Sequence, residues 1–202
     1  MYTLNTEAAR SADNVGGRIT EKGKYIGKFT RAQHIVADSG TIGIDFDFVS
    51  DDGRKARFSI YTTRADGSTI YGYKQLMAIM TCLELRQLAE PKSIPAKVYD
   101  YDAGTEVEKV VPQFPELLGK PIGLLLHMEE YGDNGKWRPA MSGAFQASTE
   151  LVASEILDRK TQPMKLPAMV QALRDRPKKS AAPQPAISNI GSPADIDSDI
   201  PF

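Results

Sequence analysis

The chain has little of what catalytic and metal centres are built from. It holds one cysteine, Cys82, among 202 residues. A single thiol excludes an internal disulfide and a cysteine-ligated zinc cluster, and it suits a reducing, cytoplasmic setting. The two histidines, His34 and His127, are too few and too far apart in sequence to suggest a metal site. His127, in the apolar run Leu124–Met128, reads as a core or edge histidine. There is no Gly-x-x-x-x-Gly-Lys-Ser/Thr loop, so no nucleotide cradle of that kind, and no cofactor is expected. No stretch of about 18 apolar residues and no charged-then-apolar start occur, so neither a membrane partner nor a signal peptide is expected. Charge of one sign is lacking too, with 25 Lys and Arg against 26 Asp and Glu, a net charge of −1. A surface for a polyanion would therefore need segregated charge. The best local candidate is Arg54–Lys74, with five basic residues and one acid.

What is present is a hydrophobic content of 41%, enough for the core of one ordinary domain plus extra segments. The rest of the chain can be arranged around Thr41–Thr63. Ile42, Ile44, Phe46 and Phe48 alternate with Thr41, Gly43, Asp45 and Asp47, the period of a strand with one buried face. After Asp51-Asp52-Gly53 the alternation resumes, with Ala56, Phe58, Ile60 and Thr62 on one side and Lys55, Arg57, Ser59, Tyr61 and Thr63 on the other. Cross-strand partners must share a side of the sheet. A two- or four-residue loop would set Asp47 opposite Ala56, whereas a three-residue loop pairs Phe48 with Ala56, Phe46 with Phe58 and Ile44 with Ile60. Gly53 at the last loop position suits the left-handed conformation such loops use. The polar side then carries Lys55, Arg57 and Tyr61, with Gly43 opposite Tyr61 as an open floor for the ring. Cations beside an exposed ring are what a single-stranded nucleic acid requires: charge for phosphates and a flat apolar surface for a base. The same residues also read as a solvated surface, because Asp47 falls opposite Arg57 and the two can form a plain ion pair.

Upstream, residues 1–22 read as a loosely held arm with Arg10, Arg18 and Lys22, followed by a strand over Lys24–Val36. Lys28 and Arg31 on that strand, and Arg64 after the hairpin, join the candidate contacts. The faces of this strand are not sorted, since a bulge near Gly27 would reassign them. Leu76, Ile79, Met80, Leu83 and Leu88 recur at helical spacing and predict a helix over Gly72–Gln87. Ala96–Tyr101 reads as a short strand, and Val107–Val111 as another strand or part of a proline-rich excursion. Lys120–Tyr131 reads as a buried strand, and Lys136–Gln146 as its hairpin partner, an edge or bulged strand because of Pro139. The expected class is α+β, mainly β: an OB-fold-like antiparallel β-barrel with one main helix between the third and fourth strands, or a generic small barrel or sandwich. Residues 1–147 form this unit. Residues 148–176 read as a helical extension, with a helix over Ser148–Lys160 capped by Ser148 or Thr149 and a further turn or two in Leu166–Arg176. Residues 177–202 are rich in Pro, Ser and Ala and read as a disordered linker.

Asp195-Ile196-Asp197-Ser198-Asp199-Ile200-Pro201-Phe202 ends the chain. It resembles the acidic C-terminal tip of bacterial single-stranded DNA-binding proteins, which follows a proline-rich linker and finishes on Ile-Pro-Phe. The body is more similar to phage-encoded single-stranded DNA-binding proteins, through SGTIGIDFDFVSDDG, the basic strand after it, the turn Ala65–Gly67, and NGKWRP at Asn134–Pro139. That resemblance covers most of residues 24–146. It implies an OB-type fold, sequence-independent binding of single-stranded DNA in replication, recombination or repair, residence in the host cytoplasm, and room for a homo-oligomer. Lys136, Trp137 and Arg138 join the candidate contacts as a ring set between cations. The tip implies that Asp195, Asp197, Asp199, Ile200, Pro201 and Phe202 hold replication, recombination or repair proteins.

Two other classes stand beside this one. Asp45/Asp47 and Glu129-Glu130 would be the carboxylates of a metal-dependent nuclease acting on single strands, although a solvated face explains both pairs more simply. A non-binding adaptor would use the tail alone to recruit replication proteins.

Overall fold

The computed structural model describes residues 16–100, 104–132 and 135–178. Arg10 and most of the N-terminal arm, Asn134, most of the linker and the whole acidic tip lie outside the described residues.

Seven strands form one antiparallel sheet: β1 (Gly23–Val36), β2 (Ile42–Ser50), β3 (Lys55–Thr63), β4 (Lys92–Asp100), β5 (Thr105–Gln113), β6 (Pro121–Tyr131) and β7 (Lys136–Phe145). Helix α1 (Tyr71–Cys82) lies between β3 and β4, and α2 (Ala153–Leu157) and α3 (Leu166–Ala172) follow β7. The class is α+β, mainly β, as the alternation patterns predict.

The central hairpin has the expected register: Phe48 pairs with Ala56, Phe46 with Phe58, Ile44 with Ile60, and Gly43 with Tyr61. Gly53 closes the loop at φ 82°. One expectation fails at its open end. Ile42 pairs with Thr63, not Thr62, because the register slips there, and Ile42 is exposed.

Strand β1 is the hub. Residues 23–28 pair with β6 and residues 27–36 with β2, so Gly27 and Lys28 are bonded on both sides. A methyl group on Gly27 would collide with the Val49 carbonyl and approach the Ser50 Cα to 2.6 Å. The bulge lies at Thr30, between Phe29 and Arg31, rather than at Gly27. An extra residue there restarts the alternation, so Tyr25, Gly27 and Phe29 face the core before it, and Ala32 and His34 after it. Phe29 is fully buried among Phe46, Phe48 and Phe58, with ring centroids 4.6, 6.0 and 6.5 Å away. Burial of each such ring contributes about 1.5–3 kcal/mol.

The expected closed barrel is not formed. The hydrogen-bonded path ends at β3 on one side and β7 on the other, with no ladder between them. Helix α1 packs against both edges. Its Gly72 sits so close to β3 that a Cβ would collide with the Tyr61 carbonyl, while Gln75 Nε2 donates to the Met141 carbonyl of β7 at 2.6 Å. The helix stops at Cys82, short of the expected Gln87. Glu84 turns left-handed at φ 57°, and the Leu85 N–H returns to the Met80 carbonyl, a C-terminal cap that uses the carbonyls a longer helix would need.

Val107–Val111 belongs to a full strand. β4 and β5 form a hairpin that joins the sheet only at Gln33–Gln113. After β7, the expected helix over Ser148–Lys160 shrinks to five residues with Val152 at its N-cap. Neither Ser148 nor Thr149 caps it. The buried Glu155 carboxylate does that work, accepting from the backbone N–H groups of Val152 (3.1 Å), Met164 (2.7 Å) and Lys165 (2.8 Å). This extension covers the second face of β6 and β7, where Leu125 and Phe145 pack with Val152, Leu166 and Leu173. It ends in a short pairing with β6, the Arg176 N–H donating to Met128 and the Glu130 N–H to Arg176.

Because the atoms nearest a Cβ at Gly27 are backbone, the strand cannot yield by a rotamer change. Gly27→Ala is expected to lower unfolding stability by about 1–3 kcal/mol in a urea titration; an unchanged midpoint would contradict this account of the hub.

Candidate nucleic-acid interface

The solvent face of β1–β2–β3 is built as four cross-strand rows, each set by the strand register. They are Lys28–Val49–Lys55, Arg31–Asp47–Arg57, Gln33–Asp45–Ser59 and Ile35–Gly43–Tyr61. The bulge at Thr30 places Arg31, Gln33 and Ile35 on this face, and without it they would point into the core. Four cations against two carboxylates leave the face net positive in a chain of net charge −1. The charge is graded: the exposed Lys28 and Lys55 lie at one end, and Tyr61, 40% exposed, at the other.

The second row is a continuous ladder. Asp47 accepts from Arg31 through Nε at 2.8 Å and Nη2 at 3.1 Å, and from Arg57 through Nε at 2.6 Å and Nη2 at 3.1 Å. Arg31 also pairs with Asp45 and donates to Gln33 Oε1 at 2.7 Å, and Ser59 Oγ donates to Asp45 at 2.7 Å. Such forked pairs fix geometry as well as charge. Burial pushes the Asp47 carboxyl up, but the hydrogen bonds from Arg57 and Arg31, with their charges, hold it below its ordinary value of 3.8. Arg31 is 3% exposed. It was expected to contact a ligand and is instead an internal tie, because two carboxylates and the sheet enclose its guanidinium. Arg57 keeps a partly open side chain, 37% exposed.

Tyr61 does lie over Gly43. A Cβ on Gly43 would come within 3.0 Å of the Tyr61 ring and 2.7 Å of the Ile60 carbonyl, so the ring rests on bare backbone. Lys55, Arg57 and Tyr61 thus share one face as the alternation predicts. Arg64 lies beyond it, in the loop before α1, where its Nη1 donates to Ser68 Oγ at 3.3 Å.

Lys136, Trp137 and Arg138 are not one cluster. Trp137 pairs with Glu130, while Lys136 pairs with Tyr131 and Arg138 with Glu129, so the ring and the two cations point to opposite sides of β7. Adjacent residues on a strand cannot share a face. Trp137 is 45% exposed. Arg138 lies 5.4 Å from the Tyr131 ring centroid and 3.3 Å from the Glu129 carboxylate.

The carboxylates of the nuclease reading are engaged elsewhere. Asp45 and Asp47 are held by Arg31, Arg57 and Ser59, and Glu129 and Glu130 alternate across β6. Among the described residues no group of three His, Cys, Asp or Glu side chains converges. His127 is buried, its Nδ1 2.7 Å from Ser142 Oγ and its Nε2 without a partner; burial, then the nearby Arg176, pull its pKa down. Burial pushes the Cys82 thiol up to about 12.

Tyr71 and Tyr73, 66% and 41% exposed at the start of α1, stand outside the residues that strand alternation singles out. The aromatic residues flanking Gly72 were the available signal. The sequence matches no protein-family model and no curated protein.

The Asp47 carboxyl is depressed in the folded chain, so its contribution is intact above its ordinary value of 3.8 and is lost as pH falls toward the lower folded value. Thermal midpoints are expected to fall steeply below about pH 4. Asp47→Asn should cost on the order of 3 kcal/mol at pH 7 and flatten that acid limb; an acid limb identical to that of the parent chain would refute the ladder as a stabilising element.

Proposed function

We propose that the chain is a sequence-independent single-stranded DNA-binding protein of the OB type, which protects single strands in replication, recombination or repair and recruits partner proteins through its acidic tip. The observation that carries the reading is the graded face of β1–β2–β3, with the exposed Lys28 and Lys55 at one end and Tyr61 over Gly43 at the other. Lysines neutralise phosphates and release counterions, and a ring on a flat floor accepts the π-face of any base. The absence of base-specific pairing in that scheme is what sequence independence requires.

The architecture supports the OB reading. Three strands, a helix and further strands follow in that order, and the helix spans the gap between the terminal strands β3 and β7. The β4–β5 hairpin is then an insertion between the helix and the last two strands. Trp137, exposed near the β6–β7 turn, offers a second ring at a separate place.

The tip Asp195–Phe202 carries the recruitment half of the reading. Ile200 and Phe202 are apolar, Pro201 limits the backbone between them, and three aspartates precede them. Such a peptide fits a small apolar pocket rimmed by Arg or Lys, the ring filling the pocket and the cations pairing with the aspartates.

Titration with single- and double-stranded oligonucleotides at two salt concentrations tests the first half. The single strand is expected to bind more tightly and to weaken with salt, and Lys28→Ala and Lys55→Ala should each shallow the slope by about 0.7. A flat salt response would favour the adaptor. For the second half, a chain lacking residues 195–202 is expected to bind single strands equally or slightly better and to lose capture of replication or repair proteins from a host lysate; a truncated chain that captures the same proteins would refute the role given to the tip.

A further inference from the structure

The aromatic row of the interface does not stop at β3. The turn Arg64–Ser68 reverses the chain, its ends joined by the Arg64 N–H to the Ser68 carbonyl at 2.9 Å, and residues 69–71 run back along the outer edge of β3. Thr69 bridges Thr63 in antiparallel fashion, and the Ile70 N–H donates to the Thr62 carbonyl at 2.9 Å. Tyr71 follows as the first residue of α1, next to the Gly72 that packs on the Tyr61 carbonyl. Antiparallel partners share a side, and the burial alternates accordingly: Thr69 exposed, Ile70 half-buried beside the buried Thr62, Tyr71 exposed. The fourth row, Ile35–Gly43–Tyr61, holds no carboxylate, and Tyr71 follows beyond its edge at the start of α1.

We propose that Tyr61 and Tyr71 together form a two-ring site for the bases of a single strand; this rests on the single-strand reading above and extends it beyond the sheet onto the start of the helix. Both rings are open, 40% and 66% exposed. Neither makes a ring contact with any other described residue, so their faces are not consumed by each other or by a neighbouring cation. Tyr71 is positioned rather than free, because the next residue, Gly72, has its Cα packed directly on the Tyr61 carbonyl, where any Cβ would collide. A glycine at that contact lets the helix start approach the strand and carries Tyr71 alongside Tyr61. Chemistry at the two ends of the face is complementary to one strand. Lys55 lies six residues along β3 from Tyr61, about 20 Å of extended chain, so phosphates can be held at the basic end while bases stack at the tyrosine end. Arg64, beside this row, offers a further cation.

The test uses the full chain and two single-stranded oligonucleotides of equal length, oligo-dT and the same backbone with abasic sites. Tyr71→Ala is expected to weaken oligo-dT binding by about 5- to 150-fold, the range of one lost base stack, and Tyr71→Phe to stay within about twofold of the parent. On the abasic strand the parent and Tyr71→Ala should bind alike. Tyr61→Ala combined with Tyr71→Ala should lose less than the product of the single losses, as expected for two rings sharing one site. Thermal midpoints check that each variant is folded. If the parent binds oligo-dT and a folded Tyr71→Ala chain binds it equally well, or loses as much on the abasic strand, the two-ring site is wrong and the single-strand reading stands. If the parent binds neither oligonucleotide, the single-strand reading itself falls, and the site with it.

Discussion

Strand β1 has to hydrogen-bond β2 and β6 at once, and the rest of the structure depends on how it does so. Gly27 and Lys28 are the two residues shared by both ladders. Where the two ladders overlap, the backbone of β2 closes over Gly27 and leaves no room for a side chain. Three residues further on, the bulge at Thr30 reverses which side chains face the core. Phe29 enters the aromatic cluster before it, and Arg31 emerges on the solvent face after it. Core and candidate interface are thus two consequences of one irregularity in one strand.

That irregularity also settles the electrostatics. Arg31 arrives opposite Asp47, which already faces Arg57 across the hairpin, and the carboxylate is shared between two guanidiniums. A buried guanidinium without partners would be strongly unfavourable, so Asp45 and Asp47 are needed once Arg31 is placed there. The ladder leaves Lys28 and Lys55 exposed on the same face, outside the ion pairs among the described residues. A chain of net charge −1 acquires a positive surface by pairing some of its cations and leaving others open.

The aromatic side of the face is assembled by backbone contacts. Tyr61 rests on Gly43, and Gly72 rests on the Tyr61 carbonyl. Two glycines, one on the neighbouring strand and one on the helix, remove the bulk that would otherwise lift the ring or push the helix away. The same helix bridges the edges of β3 and β7, which bind each other through no ladder. One element therefore packs on both sheet edges and extends the candidate surface.

The sequence by itself determined the local pairings. The period of two in β2 and β3, with a loop whose length had to keep apolar residues opposite apolar ones, dictated the hairpin register and the company of Lys55, Arg57 and Tyr61. These are short-range constraints, and alternation expresses them directly. Tertiary structure decided whatever depended on distant partners. The bulge in β1 answers to the demands of β2 and β6 together, so the burial of Arg31 was not legible in Lys24–Val36. Trp137 and its flanking cations look like a cluster in one dimension, yet the pleat of β7 divides them between two faces. The helix end at Cys82 follows from a left-handed Glu84, which the continuing apolar stripe conceals. The nearness of Tyr71 to Tyr61 required a chain reversal and a glycine contact that pattern alone does not contain. Periodicity reports which side of its own element a residue occupies, and only packing between elements decides what stands opposite it.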